Sequence, residues 1–313
     1  MTIVAANTAA IARAADILRA GGLVATPTET VYGLAADAAN AAAIARVFAA
    51  KGRPRFNPLI VHVSDLDEAL RHADLHDSAI ALAQRFWPGP LTLVAPRRAE
   101  SSVCDLACAG LTSIALRAPA HPVARDLLAA FGRPFAAPSA NRSGRISPTT
   151  AAHIEAELGD AIDLILDGGP CAIGVESTIV AIDVAGVGTL LRPGGVPRTE
   201  IEAIIGPLAS PRDGAIHAPG MLQSHYAPRA RLRLDAEAPN VGELYLGFGA
   251  HDHGAHTLSR AGDLTEAAAN LYAKLRELDE TGADIIAVAP IPAQGLGEAI
   301  SDRLVRAAAR VRA

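Results

Sequence analysis

The chain has 313 residues, a net charge of −5 and an apolar share of one half, so two domains with buried cores are expected rather than one. This acidic balance argues against a strongly basic nucleic-acid-binding protein, although a local basic patch remains compatible with it. The three cysteines lack the paired spacing of a zinc site, and no run approaches eighteen uninterrupted apolar residues. Charges within the first predicted helix argue against a signal peptide. We therefore expect a soluble, cytoplasmic protein without membrane contact.

The first two thirds of the chain predict a mixture of helices and strands. Asn7 and Asn40 are suited to cap helices. Helices are predicted at 7–19, 40–51, 121–131 and 149–158. Short apolar runs predict strands at 23–25, 59–63, 91–95, 113–116, 135–137, 164–166, 179–182 and 189–191. This alternation indicates an α/β domain with a twisted and largely covered sheet, whose strand order the sequence leaves open.

The remaining third begins with a change of composition. Prolines and glycines interrupt any periodic pattern between residues 206 and 229, which indicates a linker or a long ordered loop. A second, smaller pattern follows, with strands at 243–248 and 285–289 and helices at 265–278 and 298–311. We interpret this last part as a small Rossmann-like domain, although no complete dinucleotide fingerprint is present.

Three polar segments in the first domain are suited to hold a small polar substrate against phosphates. Thr28, Glu29 and Thr30 follow the first predicted strand directly. A compact cationic loop runs from Lys51 to Arg55, and the Ser-x-Asn segment at 139–141 lies among turn-forming residues. The chain has no GxxxxGK[ST] motif, so side chains would have to hold the phosphates of any bound ATP. Each segment taken alone also fits a solvated loop or a simple turn.

These segments belong to a longer series of motifs. The series is PTETVYGL (27–34), AKGRP (50–54), NPLIVH (57–62), WPGPLT (87–92), APSANRSG (137–144), GVESTIV (174–180), LRPGG (191–195) and SHYAP (224–228). Through them the chain resembles the YrdC-like family, in particular its long, two-domain type of threonylcarbamoyl-AMP synthase. The resemblance implies an α/β fold with a YrdC-like catalytic domain at 1–205, a twisted open sheet with helices. It also implies a linker or lid at 206–229 and a smaller C-terminal Rossmann-like α/β domain at 230–313.

The resemblance also implies a set of site residues. A characteristic tetrad with a catalytic role matches Lys51, Arg53, Ser139 and Asn141. Residues around ATP would be Lys51, Arg53, Asn57, Thr112, Ser139, Ser147, Arg192 and Tyr226. Residues around threonine would be Thr30, His62, Arg117 and Ser177. No metal ligands are predicted. Two alternatives stay open, namely that Arg117 forms a structural ion pair and that His62 points away from the pocket.

The implied reaction joins L-threonine, bicarbonate and ATP to give threonylcarbamoyl-AMP and pyrophosphate. Mg2+ would accompany ATP, and no organic prosthetic group is expected. The product would serve a downstream tRNA threonylcarbamoyl-transfer enzyme in the biosynthesis of N6-threonylcarbamoyladenosine, and direct tRNA contact is conceivable. Glu29 is either a base toward the threonine ammonium or a structural hydrogen-bond acceptor, and the second interpretation is favoured.

The sequence also bears on two alternative functions, RNA binding and carbamoyl transfer, and on a lid role for the segment between the two predicted domains. Arg133, Arg142 and Arg145 cluster in the sequence, which would suit an RNA-binding module without ATP turnover. A carbamoyl-transfer domain of the kind found in hydrogenase maturation is disfavoured, because the zinc-finger and acylphosphatase modules that accompany it are not visible. Apolar and aromatic residues in the segment 206–228, Tyr226 among them, predict a lid over the nucleotide site rather than a passive tether.

Overall fold

The computed structural model describes residues 3–211 and 225–309. Their strands are β1 Ile3–Ala5, β2 Val24–Thr26, β3 Gly33–Asp37, β4 Ile60–His62, β5 Leu91–Pro96, β6 Ser113–Arg117, β7 Phe135–Ala136, β8 Leu164–Asp167, β9 Thr178–Ile182, β10 Gly188–Arg192, β11 Arg231–Arg233, β12 Leu244–Leu246 and β13 Ile285–Val288. Their α-helices are α1 Thr8–Arg19, α2 Ala41–Lys51, α3 Leu66–Ala69, α4 Asp77–Phe86, α5 Pro122–Phe131, α6 Ala151–Leu158, α7 Arg198–Ile205, α8 Leu264–Glu280 and α9 Leu296–Ala308. Short 3-10 helices occupy Gly159–Ala161 and Gly249–His251.

The strands form one large mixed sheet and one small parallel sheet. The large sheet has the order β1-β8-β2-β3-β7-β4-β6-β5-β9-β10, and the small sheet has the order β11-β13-β12. Both sheets and their covering helices agree with the predicted α/β class. The predicted linker falls partly outside the described residues, at 212–224, and the predicted domain boundaries stay predictions.

Local signals in the sequence explain where the helices near the site begin and end. The side chain of Asn7 accepts a hydrogen bond from the amide of Ala10, and Asn40 accepts from Ala42 and Ala43. Gly52 adopts a left-handed conformation with φ of 59°, which ends α2 and turns the chain away after its last residue. The cationic loop therefore starts from a fixed helix end.

The register of the large sheet brings two site residues together. Strands β4 and β6 run parallel, and their pairing sets His62 opposite Arg117. The carboxyl ends of both strands consequently lie at the same edge of the sheet. Strand β5 joins β6 in the antiparallel sense and β9 in the parallel sense, which extends the same surface toward β10.

The apolar core around the small sheet includes side chains from both parts of the chain. Leu271, Leu275 and Ile286 are fully buried in it together with Val31 and Val175, which belong to the first part. The small sheet and its helices thus share apolar packing with connecting segments of the first part, which fixes the C-terminal part against the region of the site. Among the described helices, none has both the length and the apolar character needed to cross a membrane.

Candidate active site

A cleft with about 480 Å³ of empty space lies at the edge of the large sheet where β4 and β6 end. Most of the predicted site residues line it, namely Thr30, Arg53, His62, Arg117, Ser139, Ser177, Arg192 and Tyr226. Lys51, Asn57, Asn141 and Ser147 are buried but do not line the cleft. Thr112 is exposed and lines a separate groove near the other end of β6.

Arg117 is held by an acidic partner from the first motif. Its Nη2 lies 2.7 Å from Glu29 Oε1, and its Nη1 donates to Thr30 Oγ1 at 2.9 Å. Glu29 Oε2 accepts a hydrogen bond from the amide of Ala120 at 3.1 Å. Burial alone would raise the pKa of Glu29, but attraction to Arg117 and these hydrogen bonds hold it below its usual value. Glu29 does not line the cleft, so the geometry agrees with a structural acceptor, and Arg117 combines an ion pair with a place in the wall.

Arg53 and Arg192 contribute two further buried guanidinium groups to the wall. Arg53 donates to the carbonyl oxygens of Asn57 and Pro58 at 3.1 and 2.8 Å, which fixes its side chain within its own loop. Arg192 donates to the carbonyl of Ser177 at 2.9 Å and to the Ser177 hydroxyl at 3.2 Å. Burial lowers the pKa of Arg53 to about 9 and also lowers that of Arg192. Positive charges held in a buried wall favour an anionic ligand.

Two residues of the predicted tetrad, Arg53 and Ser139, line the cleft, whereas Lys51 and Asn141 are buried beside it. Lys51 donates to the carbonyl oxygens of Ser139 and Asn141, so it holds the Ser-x-Asn loop from the end of α2. The Asn141 amide donates to the carbonyls of Arg142 and Arg145, both at 2.8 Å. Burial, reinforced by the charge of Arg53, lowers the pKa of Lys51. The geometry gives Lys51 and Asn141 a loop-fixing position, while their predicted catalytic roles stay predictions.

Several buried polar atoms in this region have no hydrogen-bond partner within the described residues. They include Nδ1 of His62, Nδ1 of His225, the hydroxyl of Tyr226 and both amide atoms of Asn57. A buried polar group without a partner costs about 1–3 kcal/mol, so several close together indicate a site shaped for a polar ligand. His62 is among the residues that line the cleft, which agrees with its predicted place near the substrate.

The two histidines near the cleft are neutral at physiological pH. Burial, with the nearby charge of Arg117, lowers the pKa of His62 to about 3. Burial also lowers the pKa of His225 to about 3. Neither ring can serve as a cationic phosphate ligand, and each offers uncharged hydrogen-bonding atoms instead.

Tyr226 has a left-handed backbone conformation, which its surroundings hold in place. Its φ is 63°, which is unfavourable for a side chain other than glycine, and the following amide donates to the carbonyl of Gly144 at 2.8 Å. Its ring contacts the rings of His225 and Tyr272, with centroid distances of 4.1 and 5.8 Å. The described end of the predicted lid therefore contributes to the cleft, whereas residues 212–224 lie outside the described part.

The sequence predicts no individual binding role for three polar residues at this site, although His225 belongs to the apolar and aromatic set that predicts the lid. Glu176 and His225 line the cleft, and each belongs to one of the motifs in the series above. Thr92 is buried and its hydroxyl lies 2.7 Å from that of Ser177. The motifs WPGPLT, GVESTIV and SHYAP contain these three residues. Membership in a motif is therefore the feature of the sequence that could identify them as site residues.

The fold and the cleft define an α/β protein with a buried, cationic small-molecule site. The family model described as Telomere recombination, for Sua5, YciO and YrdC proteins, matches residues 16–194. The model described as Threonylcarbamoyl-AMP synthase, C-terminal domain, matches residues 196–309. The chain belongs to this threonylcarbamoyl-AMP synthase family, whose members are enzymes of the nucleotidyltransferase type.

Similar proteins cover almost the whole chain. A threonylcarbamoyl-AMP synthase of Bacillus subtilis is 40% identical, over 96% of this chain and 94% of its own length. One of Pyrococcus abyssi is also 40% identical, over 94% of this chain and 92% of its own length. A crystal structure of Pyrococcus abyssi Sua5 complexed with L-threonine superposes with a TM-score of 0.87 at 39% identity, covering 95% of this chain and 94% of that one. The predicted family, fold class and enzyme class are confirmed, and the relatives support the synthase rather than the RNA-binding alternative.

Proposed function

We propose that the chain makes threonylcarbamoyl-AMP and pyrophosphate from L-threonine, bicarbonate and ATP. The observation that carries this proposal is the cleft, where Arg53, Arg117 and Arg192 converge around polar atoms that lack partners in the described part of the chain. A triphosphate, a carboxylate and bicarbonate are all anions, and buried guanidinium groups suit each of them. Relatives that are 40% identical carry the name of this activity.

The proposed reaction has two bond-forming steps. The amine of threonine, after its ammonium has given a proton to solvent, adds to the carbon of bicarbonate, and a carbamate forms with loss of water. In the alternative route bicarbonate first loses water to give CO2, the amine adds to CO2, and the proton released from nitrogen passes to solvent. A carbamate oxygen then attacks the α-phosphorus of ATP, the bond from that phosphorus to the bridging oxygen breaks, and pyrophosphate leaves. Neither step needs a nucleophilic side chain, so the chain contributes positioning and charge stabilisation.

We assign the threonine end of the cleft to Thr30, His62, Arg117 and Ser177. Arg117 is already oriented by Glu29 at 2.7 Å, which prepares its guanidinium to meet the threonine carboxylate. Neutral His62 and the Ser177 hydroxyl offer uncharged groups near the amine, which must lose a proton before it adds to carbon. The Pyrococcus abyssi relative crystallised with L-threonine supports a small amino-acid substrate.

We assign the ATP end to Arg53, Ser139, Arg192 and Tyr226 in the wall. Behind them, Lys51, Asn57, Asn141 and Ser147 are buried close to the same loops. An apolar strip of the sheet, formed by Ile60, Val94, Ala115, Ile179 and Leu191, continues from the cleft across the strands. At 3.3 Å per residue, Thr112 lies about 16 Å along β6 from Arg117. An extended nucleotide on this strip would bring its adenosine end toward Thr112.

We propose that Mg2+ enters as part of the nucleotide complex. Among the described residues, no group of three His, Cys, Asp or Glu side chains is placed to hold a metal ion. Mg2+ in nucleotide sites takes most of its ligands from phosphates and water, so this donor set fits an ion carried by ATP. When bound, the ion would neutralise part of the triphosphate charge, and the arginines of the wall would neutralise the rest.

We further propose that a tRNA threonylcarbamoyl-transfer enzyme consumes the product. Threonylcarbamoyl-AMP is a mixed anhydride that water attacks readily, so a second enzyme must use it promptly. Direct tRNA contact stays a prediction. One member of the basic cluster is paired with an acid, because Arg133 lies 2.6 Å from Asp37. The Arg142 backbone amide donates to the Glu157 carboxylate, and its Nε donates to the Glu157 backbone carbonyl. The names of the relatives support the synthase and not the RNA-binding alternative.

The test is an assay of pyrophosphate release in which each substrate is omitted in turn. We expect release only when threonine, bicarbonate, ATP and Mg2+ are all present. One methyl group contributes about 1–3 kcal/mol of discrimination, so weak activity with serine is compatible with the proposal. Equal release with serine, or without any amino acid, would remove threonine as the substrate.

A further inference from the structure

Glu176 is an acidic side chain in the wall of a cleft that otherwise suits anions. It is 6% exposed, and its carboxylate accepts hydrogen bonds from the hydroxyls of Ser147 at 2.6 Å and of Tyr272 at 3.0 Å. These neutral donors satisfy its oxygens but leave its negative charge in place. An uncompensated carboxylate at this position would repel the phosphates of a nucleotide.

A cation in direct contact with this carboxylate comes from α9, the last of the described helices. Arg303 in α9 is 1% exposed, and its Nε donates to Glu176 Oε2 at 2.7 Å. Its Nη2 donates to the carbonyl of Pro193 at 3.0 Å, and its Cζ lies 5.1 Å from the centre of the Tyr226 ring. Because the pair is buried, solvent and salt screen it little.

The titration behaviour of Glu176 agrees with this geometry. Burial alone would raise the pKa of Glu176, but attraction to Arg303 and Arg192 and the hydrogen bond from Ser147 lower it to about 2. The carboxylate is therefore ionised at neutral pH, and its charge has to be balanced by a cation in the folded chain.

We propose that Arg303 is a positioning residue of the synthase site, which neutralises Glu176 and so allows the cleft to accept the triphosphate of ATP. This inference rests on the proposed function. Arg303 acts through Glu176 and through the ring of Tyr226 rather than by touching substrate. The C-terminal part of the chain is then a component of the ATP site and not only a neighbour of it.

Another ion pair between the same two parts of the chain provides a matched control. Arg198 in α7 lies 2.7 Å from Glu298 in α9, but both side chains are about one third exposed and neither lines the cleft. Replacing Arg198 by Met removes a contact between the two parts without exposing a charge in the cleft. A general loosening of this contact would affect both variants, whereas the proposed charge effect is specific to Arg303.

The experiment is a double-mutant cycle with Arg303→Met, Glu176→Gln and the double variant, together with Arg198→Met. The KM for ATP and for threonine, ATP binding by calorimetry and thermal unfolding are measured for each. We expect Arg303→Met to raise the KM for ATP about tenfold to a hundredfold, with a smaller effect on threonine. In the Glu176→Gln background the same change should have little effect on the KM for ATP, because the cleft wall then carries no carboxylate at position 176. The second acidic partner of Arg303, Asp302 at 2.6 Å, does not line the cleft and keeps Arg306 as a partner at 2.9 Å. Arg198→Met should keep the wild-type KM for ATP.

The possible results separate the inference from the function on which it rests. A wild-type chain that does not release pyrophosphate from the three substrates overturns the proposed function. The inference alone is overturned if the wild-type chain is active but Arg303→Met raises the KM for ATP equally in the wild-type and Glu176→Gln backgrounds. It is also overturned if Arg303→Met raises that KM in neither background. If Arg303→Met does not fold, Arg303→Lys keeps the charge and should keep ATP affinity within a few-fold of wild type. A tenfold or greater loss in a folded Arg303→Lys variant would contradict charge neutralisation.

Discussion

Replacing Glu29 by Gln tests whether this residue orients Arg117 or removes a proton from threonine. The substitution preserves the size of the side chain and removes its charge. Glu29 lies 2.7 Å from Arg117 Nη2 and accepts from the amide of Ala120 at 3.1 Å. The single side-chain oxygen of Gln can accept from either Arg117 or the Ala120 amide, but not from both. The NH2 group of Gln would then face the other of these two donors.

The expected loss of stability follows from the burial of this pair. The side chains of Arg117 and Glu29 are 5% and 12% exposed, so water compensates little for a broken ion pair. Removing one partner of a buried pair costs about 3–5 kcal/mol in the free energy of unfolding. As a control, Glu277→Gln removes a half-exposed partner of Lys274 and should cost less than about 1 kcal/mol.

Urea unfolding over a range of pH measures how the contribution of Glu29 to the free energy of unfolding changes with pH. The pKa of Glu29 is lowered in the folded chain, so its stabilising contribution is fully present above its ordinary pKa of 4.5. The contribution is lost as the pH falls through the lower folded pKa, where the wild-type carboxyl also becomes neutral. The stability difference between wild type and Glu29→Gln should therefore shrink at acidic pH.

Kinetics distinguish the two roles of Glu29. A positioning role predicts a raised KM for threonine and a largely unchanged KM for ATP, because Arg53 and Arg192 do not depend on Glu29. A general base predicts a kcat lower by about a hundredfold or more with a nearly constant KM for threonine. Wild-type stability together with a wild-type KM for threonine would refute the structural reasoning.

Two further substitutions test the wall of the cleft and its support. Lys51→Met should lower the free energy of unfolding by about 2–4 kcal/mol in urea titrations, because the carbonyls of Ser139 and Asn141 lose their donor. Unchanged stability with loss of ATP use would instead support direct phosphate binding by Lys51. Tyr226→Phe removes a hydroxyl that has no partner among the described residues, so it should leave thermal stability equal or higher while raising the KM for ATP. If Tyr226→Ala retains full synthesis without extra ATP breakdown, the predicted lid role is wrong.

The sequence predicts the elements of the fold better than their arrangement. Apolar runs identify β4, β5, β6, β8, β9 and β10, and asparagine caps identify α1 and α2. Strand β3 was missed because its sequence, GLAAD, is rich in alanine and lacks β-branched residues, so it has no strand-like pattern. The strand order depends on pairings between distant segments, such as β1 with β8, which local periodicity does not encode.

The same distinction between local and distant information holds for the site. Motif blocks led directly to Arg53, His62 and Arg192, because each stands beside the strand or loop that sets its place. The charge balance of the cleft depends instead on the contact of Glu176 with Arg303, 127 residues further along the chain. No spacing rule connects two such positions, and a buried arginine in the middle of a helix looks in sequence like a solvated one. Only the packing of α9 against the first part of the chain brings Arg303 into contact with the carboxylate in the cleft wall.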